Sequence, residues 1–306
     1  MRITTGMTAN NALYNLQKGL NNLNDLNDTV SSGLNVSKPS EDPLSARQLL
    51  DLQEQVNVGK QYTANITKAK LLLNVTSTAL NGMGDVMTQL KTTAGSIANG
   101  SSDPTVRSAA VSNLTELKKQ LIDYGNTQSG SQYVFGGFST GQPFDAAGNF
   151  SGTNDVLDID INQGSTVTTN VSGGQLLRGG TPPAAVGSGA TAGQSPVDII
   201  GSIDALISSI NTNNVSGIQD GIKNMQAAAQ QVTSSISSVA GKLTRLENMQ
   251  TMITNNQNTL EGIYSDKQNV DYAKAGVELS QLNTAYSAAL STTAKINQLS
   301  LLDYLK

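Results

Sequence analysis

Three carboxylates, Asp155, Asp158 and Asp160, fall close together in the chain. Hard cations such as calcium take oxygen ligands of this kind, so the first chemistry to weigh is a metal site. The run lacks the acidic and glycine spacing of a calcium loop, and a half-buried strand accounts for it better: Leu157, Ile159 and Ile161 face inward while Asp158, Asp160 and Asn162 face water. No metal and no cofactor is expected. Serine is abundant, but a serine nucleophile needs a base, and the chain contains neither histidine nor cysteine. Their absence also removes disulfides, thiolate chemistry, structural zinc and the side chain most often used for proton transfer near neutral pH. The run "FGGF" at 135 to 138 has glycines without a phosphate-loop lysine and reads as a turn. Asn-x-Ser/Thr triplets at Asn74, Asn113 and Asn170 arise by chance in so Asn-, Ser- and Thr-rich a chain. No catalytic residue is assigned, and an enzyme is not expected.

What the sequence does place at regular spacing is apolar surface. Leu13, Leu16, Leu20, Leu23 and Val30 recur in steps of three and four with Asn27 among them, and Leu279, Leu282, Tyr286 and Ile296 do the same near the other end. The chain then finishes "AKINQLSLLDYLK", which crowds Leu299, Leu302 and Leu305 into segments that ordinarily fray. The stretch 10 to 27 holds seven asparagines, a poor helix former, so it is expected to be marginally helical alone or even paired. These twelve apolar residues form the candidate assembly seam, one that folds fully only when neighbouring molecules complete it.

Composition bounds the partners. The chain has 306 residues, with 19 basic and 23 acidic side chains and a net charge of −4. No basic stripe marks a nucleic-acid footprint, so DNA and RNA are not expected partners. No span is apolar enough for a membrane, and the N-terminus does not read as a secretory signal. Zero cysteines suit either the cytoplasm or an oxidising exterior.

Several elements must position the seam. An N-terminal helix ends at "SSGLNVSKPSEDP", and Asp42 with Pro43 opens the next. That helix has the longest seam: Leu52, Gln55, Gly59, Tyr62, Ile66, Ala69, Leu73, Thr76, Leu80, Met83, Met87, Leu90, Ala94 and Ile97. As one helix from 43 to 98 it reaches ~84 Å at 1.5 Å per residue, which implies a rod. Asp103 and Pro104 start a further helix with Ala110, Leu114, Leu117, Leu121 and Tyr124. Residues 131 to 196 alternate strand-like runs with Gly, Pro and Ser and read as a small β-rich insertion. Helical periodicity returns at Val197, runs through Val232, Ile236, Val239, Leu243, Leu246, Gln250, Ile253, Gln257, Leu260 and Tyr264, and slips at 265 to 271. The fold class expected is mainly α: a long antiparallel helical bundle with coiled-coil N- and C-terminal helices and a small β-rich domain inserted in the middle. The domains expected are 1–38 with 272–306 as a terminal coiled-coil assembly domain, 39–130 with 197–271 as a rod-like bundle, and 131–196 as an outer domain.

Taken together, "MRITTGM", "SSGLNVSKPSEDP", "SGSQYVFGGFSTGQPFD" and "AGKLTRLENM" with "INQLSLLDYLK" resemble the flagellin-like axial proteins of the bacterial flagellum. "SSGL" and the leucine-rich ending are shared in looser form with flagellin; the Tyr-Val-Phe-Gly-Gly and Pro-Phe-Asp boundary and "TNVSGGQLL" look like the hook-filament junction branch of that family. The resemblance implies a structural part without enzymatic activity. It implies that the paired termini form the innermost helical layer of a tube, the bundle the next, and the β domain the outside. It also implies export through the flagellar type III apparatus with an export chaperone, an extracellular place on the flagellum, and assembly with further copies of itself between hook-associated protein 1 and flagellin. The alternatives are flagellin proper, or a cytoplasmic coiled-coil adaptor. Independently of the resemblance, a head-to-tail interface that does not close makes a helical assembly, and each fully buried leucine contributes about 1.5 to 3 kcal/mol toward it.

Overall fold

A computed structural model describes residues 5–98 and 103–304. The chain is mainly α-helical: α1 (Thr5–Ser32), α2 (Pro43–Ser96), α3 (Pro104–Gly125), α4 (Gly173–Arg178), α5 (Ile199–Asn211), α6 (Val215–Gln268) and α7 (Tyr272–Tyr304). Two short antiparallel pairs complete it, β1 (Gln128–Ser129) with β2 (Gln132–Tyr133) and β3 (Asp158–Asn162) with β4 (Ser165–Thr168).

The helix starts follow from orphan amides. Asp42 Oδ1 accepts from the Leu44 and Ser45 amides at 3.1 and 3.0 Å, and Asp103 accepts from Thr105 N at 2.8 Å. Asp198 and Asp271 do the same for α5 and α7. In each case a carboxylate satisfies donors that the first turn leaves free and meets the positive end of the helix dipole. Pro43 and Pro104 fill first positions where a missing N–H costs nothing.

By internal contacts the chain divides into two units, residues 1–59 with 255–306 and residues 60–254. The second has a dry core. Its α2 stripe is Ile66, Ala69, Leu73, Thr76, Leu80, Met83, Met87, Leu90, Ala94 and Ile97, every one buried. Thr76 is tolerated there because its hydroxyl donates to Leu72 O at 2.8 Å. Ala110, Leu114, Leu117 and Leu121 of α3 join the same cluster, as do Val232, Val239 and Leu246 of α6. The expected periodicity therefore names the core face of all three helices.

Two features depart from the expected elements: the continuous helix after Val197 is broken, and the insertion contains a short helix. Helix α5 stops at Asn211, Asn213 adopts a left-handed φ of 52°, and Asn214 Oδ1 caps the start of α6 by accepting from Gly217 N at 3.2 Å. Three consecutive polar residues, Thr212 to Asn214, compete with helical hydrogen bonds through their own side chains, and the apolar steps on either side hide that break. Helix α4, a single short turn ended by Gly179 at φ 67°, lies inside the insertion where only strands and loops were expected.

In the insertion Leu157, Ile159 and Ile161 turn inward while Asp158 and Asp160 are exposed, as the alternation requires. Phe135 and Phe144 are fully buried, and the Phe150 ring lies tilted against Phe144 with centroids 5.2 Å apart. Asn126, just past α3, treats Phe144 as a strand partner would: Oδ1 accepts its N–H at 2.9 Å and Nδ2 donates to its carbonyl at 3.0 Å. Gly173 donates to Phe135 O at 2.9 Å and lies so close that a Cβ there would come within 2.8 Å of the Phe144 ring and 2.9 Å of that carbonyl.

Two amides on α6 then hold the return segment. Asn224 accepts from Gly193 N and donates to Gly187 O at 2.9 and 2.8 Å. Gln231 accepts from Val197 N at 2.9 Å and donates to Leu176 O at 2.7 Å and Val197 O at 3.1 Å. Arg178 reaches Asp198 at 3.3 Å, and burial pushes that carboxyl up despite the Gly201 amide and the guanidinium.

The stripe register is testable by urea unfolding. Leu80→Ala should lose about 2 to 5 kcal/mol, as core leucines do, whereas Leu71→Ala, at an exposed position of the same helix, should stay within about 0.5 kcal/mol of the parent. Gly173→Ala should cost about 1 to 3 kcal/mol by overpacking against Phe144 and Phe135.

Candidate assembly surface

The candidate seam lies in the unit formed by 1–59 and 255–306. There α1 and α7 run antiparallel on each other: Gly19 faces the Tyr286 ring, with a Cβ position 3.5 Å from Cδ2, and Gly33 faces the Tyr272 hydroxyl. The half-buried stripe of α1 is Ala12, Leu16, Gly19, Leu23, Leu26 and Val30, in alternating steps of four and three. Opposite it α7 presents Ala275, Leu279, Leu282, Tyr286, Ala289 and Thr293. Both have the heptad spacing of a coiled-coil seam.

The twelve sequence-derived residues fall into three sets. Leu16, Leu23, Val30, Leu279, Leu282 and Tyr286 lie on the facing stripes. Leu13 and Leu20 do not; they are 60% and 41% exposed, each one position beyond the small residues Ala12 and Gly19 that occupy the stripe. One residue is a rotation of about 100° on a helix, so these leucines form a second, open flank seven residues apart. The side chains of Ile296, Leu299 and Leu302 lie outside the described residues, although the α7 backbone runs through them, and Leu305 lies outside altogether.

Sequence reasoning put Leu13, Leu20 and Asn27 where Ala12, Gly19 and Leu26 pack: at the first two it preferred the larger apolar residue, and at the third it carried the same register onto a polar one. The missed signal is the small-residue pair: Gly19 leaves room for a tyrosine ring, which a leucine there would exclude. On α2 the same choice arises at Leu52, where steps of three and four reach Gln55 or Val56. Val56 is buried and Gln55 exposed, since the apolar side chain gains more from leaving water. Gln257 does occupy its expected α6 position, against Gly59, with its Nε2 buried and unpartnered.

A clasp fixes where α1 ends and α7 begins. The loop after α1 pairs with the link before α7 through a Leu34–Asn269 antiparallel bridge, with Asn35 N donating to Gln268 O at 2.7 Å and Val270 N to Gly33 O at 3.0 Å. Gly33 serves there with φ at 72°, a conformation a side chain would strain. The adjacent "SED" supplies two carboxylates held below their usual range. Glu41 is lowered by the Lys38 and Ser37 amides, and Asp42 by the hydroxyl and amide of Ser45, with Lys267 adding its charge. Lys267 itself donates to Gln48 Oε1 at 2.7 Å, tying α6 to α2.

Elsewhere, no three acidic side chains converge as metal ligands among the described residues. Asp158 accepts from the Thr168 hydroxyl across the β3–β4 pair, and the backbone carbonyls of Asp155 and Asp160 accept from Asn170 and Asn65. Among the described residues no helix is long and apolar enough to cross a membrane.

Two outcomes are expected in the isolated chain. Leu16→Asp should raise amide exchange along α1 and α7, while Leu13→Asp should leave it unchanged. Because Glu41 and Asp42 titrate below their ordinary values of 4.5 and 3.8, their contribution is fully present above those values and lost as pH falls through the lower folded ones. Protection of the Ser37, Lys38, Leu44 and Ser45 amides should therefore fade on acidification, and Glu41→Gln should remove it at Ser37 and Lys38 alone.

The bacterial flagellin N-terminal helical region matches residues 3–140, and the bacterial flagellin C-terminal helical region matches residues 222–305. Flagellar hook-associated protein 3 of Salmonella typhimurium is 25% identical over 58% of this chain, which spans 57% of that relative's length. A flagellin of Clostridium tyrobutyricum is likewise 25% identical, over 56% of this chain and 43% of its own. A solved flagellar hook-associated protein of Vibrio parahaemolyticus shares the fold with a TM-score of 0.63 at 19% identity, covering 75% of this chain and all of that one. With the helical regions on both sides of the insertion matched, the chain belongs to the flagellin-like family of bacterial flagellar axial proteins.

Proposed function

We propose that this chain is a structural, non-enzymatic adaptor at the junction between the flagellar hook and the flagellin filament, and that it assembles through α1 and α7. The observation that carries the reading is the open flank at Leu13 and Leu20 beside an otherwise paired seam. Leu13 is 60% and Leu20 41% exposed, so burying what remains would contribute about 1.5 to 3 kcal/mol per subunit for the two together, which favours docking against a neighbour. Residues 1–38 with 272–306 then act as the assembly domain, 39–130 with 197–271 as the bundle behind it, and 131–196 as the outer domain. The partners are further copies of the chain, hook-associated protein 1 on one side and flagellin on the other. Export to the cell exterior runs through the flagellar type III apparatus with an export chaperone.

Two observations favour the junction over the filament itself: the aromatic boundary built on Phe135, Phe144 and Asn126, and the hook-associated names of the relative and the solved structure. Flagellin proper is the second reading, favoured by the matching family regions and the Clostridium relative. Purified chain that grows long filaments unaided would decide for flagellin; chain that caps isolated hooks and then supports filament growth decides for the junction.

The interface is tested in a strain lacking its junction protein. The double variant Leu13→Asp, Leu20→Asp should keep the circular dichroism and melting temperature of the parent yet fail to restore filaments and swimming. Full swimming by that variant would show that the flank is not an assembly surface.

A further inference from the structure

The turn "FGGF" at 135 to 138 has two aromatic ends with opposite fates. Phe135 is fully buried, whereas Phe138 is 58% exposed. The backbone that carries Phe138 is fixed. Gly136 O accepts from Ser139 N at 3.3 Å and from Thr153 N at 3.0 Å, and the Thr153 hydroxyl accepts from Phe138 N at 3.0 Å. Gly137 holds a φ of 65° and stands where a Cβ would run into the Thr153 carbonyl. A single apolar side chain scattered on a surface is ordinary. Here a large ring is held in water on a backbone already tied down, so a partner that buries it gives up little further chain entropy. Aromatic side chains are the commonest anchors of protein interfaces.

A matching recess lies on α6 of the same unit, residues 60–254. Gly241, Thr244, Arg245, Asn248, Met249 and Met252 share one face of the helix and line a shallow groove of about 410 Å³. At one end a Cβ on Gly241 would meet nothing within 4 Å. Thr244 turns its hydroxyl back to Ala240 O at 3.1 Å, which leaves its methyl group for the groove. Met249 is half-buried and Met252 is 50% exposed. Arg245 Nη2 donates to Ser165 Oγ at 2.9 Å, which holds a guanidinium at the rim. Thioethers are flexible and polarizable and pack favourably against aromatic rings, and a guanidinium is drawn to a ring face by its charge. These groups together suit an aromatic ring. Every lining residue belongs to α6, so the chain's own Phe138 does not fill the groove.

We propose that Phe138 of one copy docks into the Met249–Met252 groove on α6 of a second copy in the assembled state. Anchor and recess complement each other in chemistry, both belong to this chain, and a single copy leaves both open. A contact made between two different patches of the same molecule can repeat from copy to copy, as a head-to-tail assembly requires. One ring does not make a stable interface, which takes about 1,000 Å² or more. The pairing therefore rests on the assembly reading above, in which the terminal helices supply the main area, and adds to it a specific anchor away from them.

Photo-cross-linking with the variant Phe138→p-benzoylphenylalanine tests it, because that side chain keeps an aromatic ring and on irradiation bonds to C–H groups in contact with it. The variant is produced alongside the parent chain so that hook-filament structures still form. These are sheared from cells and irradiated beside dilute purified monomer, and linked peptides are mapped by mass spectrometry. The expected result is a link from position 138 to Met249 or Met252 of another copy, present in the assembled sample and absent from the monomer. A link to α6 in the monomer, a link to a hook or filament subunit, or links only to other parts of a sister copy each overturns the proposal. Leu13→p-benzoylphenylalanine serves as the parallel control. If it links subunits while position 138 does not, the pairing falls and the assembly reading stands; if neither links, both fall. Phe138→Ser gives a second readout: the monomer should keep the parent melting temperature while swimming falls, as it should for Met249→Ala with Met252→Ala. A lower melting temperature for Phe138→Ser would show that the ring serves its own chain, and full swimming would show that the anchor is idle.

Discussion

Each long helix of this chain has one apolar stripe, and that stripe has to be covered. The rest of the structure follows from how that obligation is met. Between Ile66 and Ile97 the α2 stripe is dry, because α3, α5, α6 and the insertion all send apolar side chains to it. At the termini α1 and α7 pack on each other, and their facing residues are half-buried at best apart from Ala275. The stability of a coiled pair grows with the width of the covered stripe. A pair covered on one side only leaves Leu13 and Leu20 in water.

Small residues decide which side is covered. Ala12 and Gly19 let α7 approach α1 closely, and the ring of Tyr286 fills the space that Gly19 leaves. That close approach turns the neighbouring leucines outward. The same logic governs the insertion, where Gly173 lets the backbone meet Phe135 and the ring of Phe144. Polar groups that must be buried are satisfied locally: Thr76 by its own helix, Asn224 and Gln231 by loop carbonyls and amides. Among the described residues the exceptions are Arg178 Nε, Ser202 Oγ and Gln257 Nε2, each buried without a hydrogen-bond partner.

Much of this was legible in the sequence because the signals were long and redundant. Fourteen residues stepping by three and four leave little freedom in the face of α2, and aspartate before proline marks a helix start by two independent mechanisms. The alternation of Leu157, Ile159 and Ile161 with aspartates placed β3 for the same reason. What was not legible was anything decided by one residue's worth of rotation. Leu13 against Ala12, or Gln55 against Val56, differ by about 100° and by the identity of a partner helix that periodicity does not reveal. The break at Thr212 to Asn214 was hidden because side-chain competition for backbone hydrogen bonds leaves no mark on apolar spacing.

The loop that leads into α5 is fastened at Gly187 and Gly193 by Asn224 and at Val197 by Gln231, while Thr181 to Pro183 and Ser188 to Thr191 are exposed. Such pinning separates the fate of the loop from that of the helices beneath. Since the entropic penalty of closing a loop rises only logarithmically with length, extra residues between the pins would be tolerated cheaply. The pinned loop is thus a place where added length would leave the packing of α5 and α6 beneath it undisturbed.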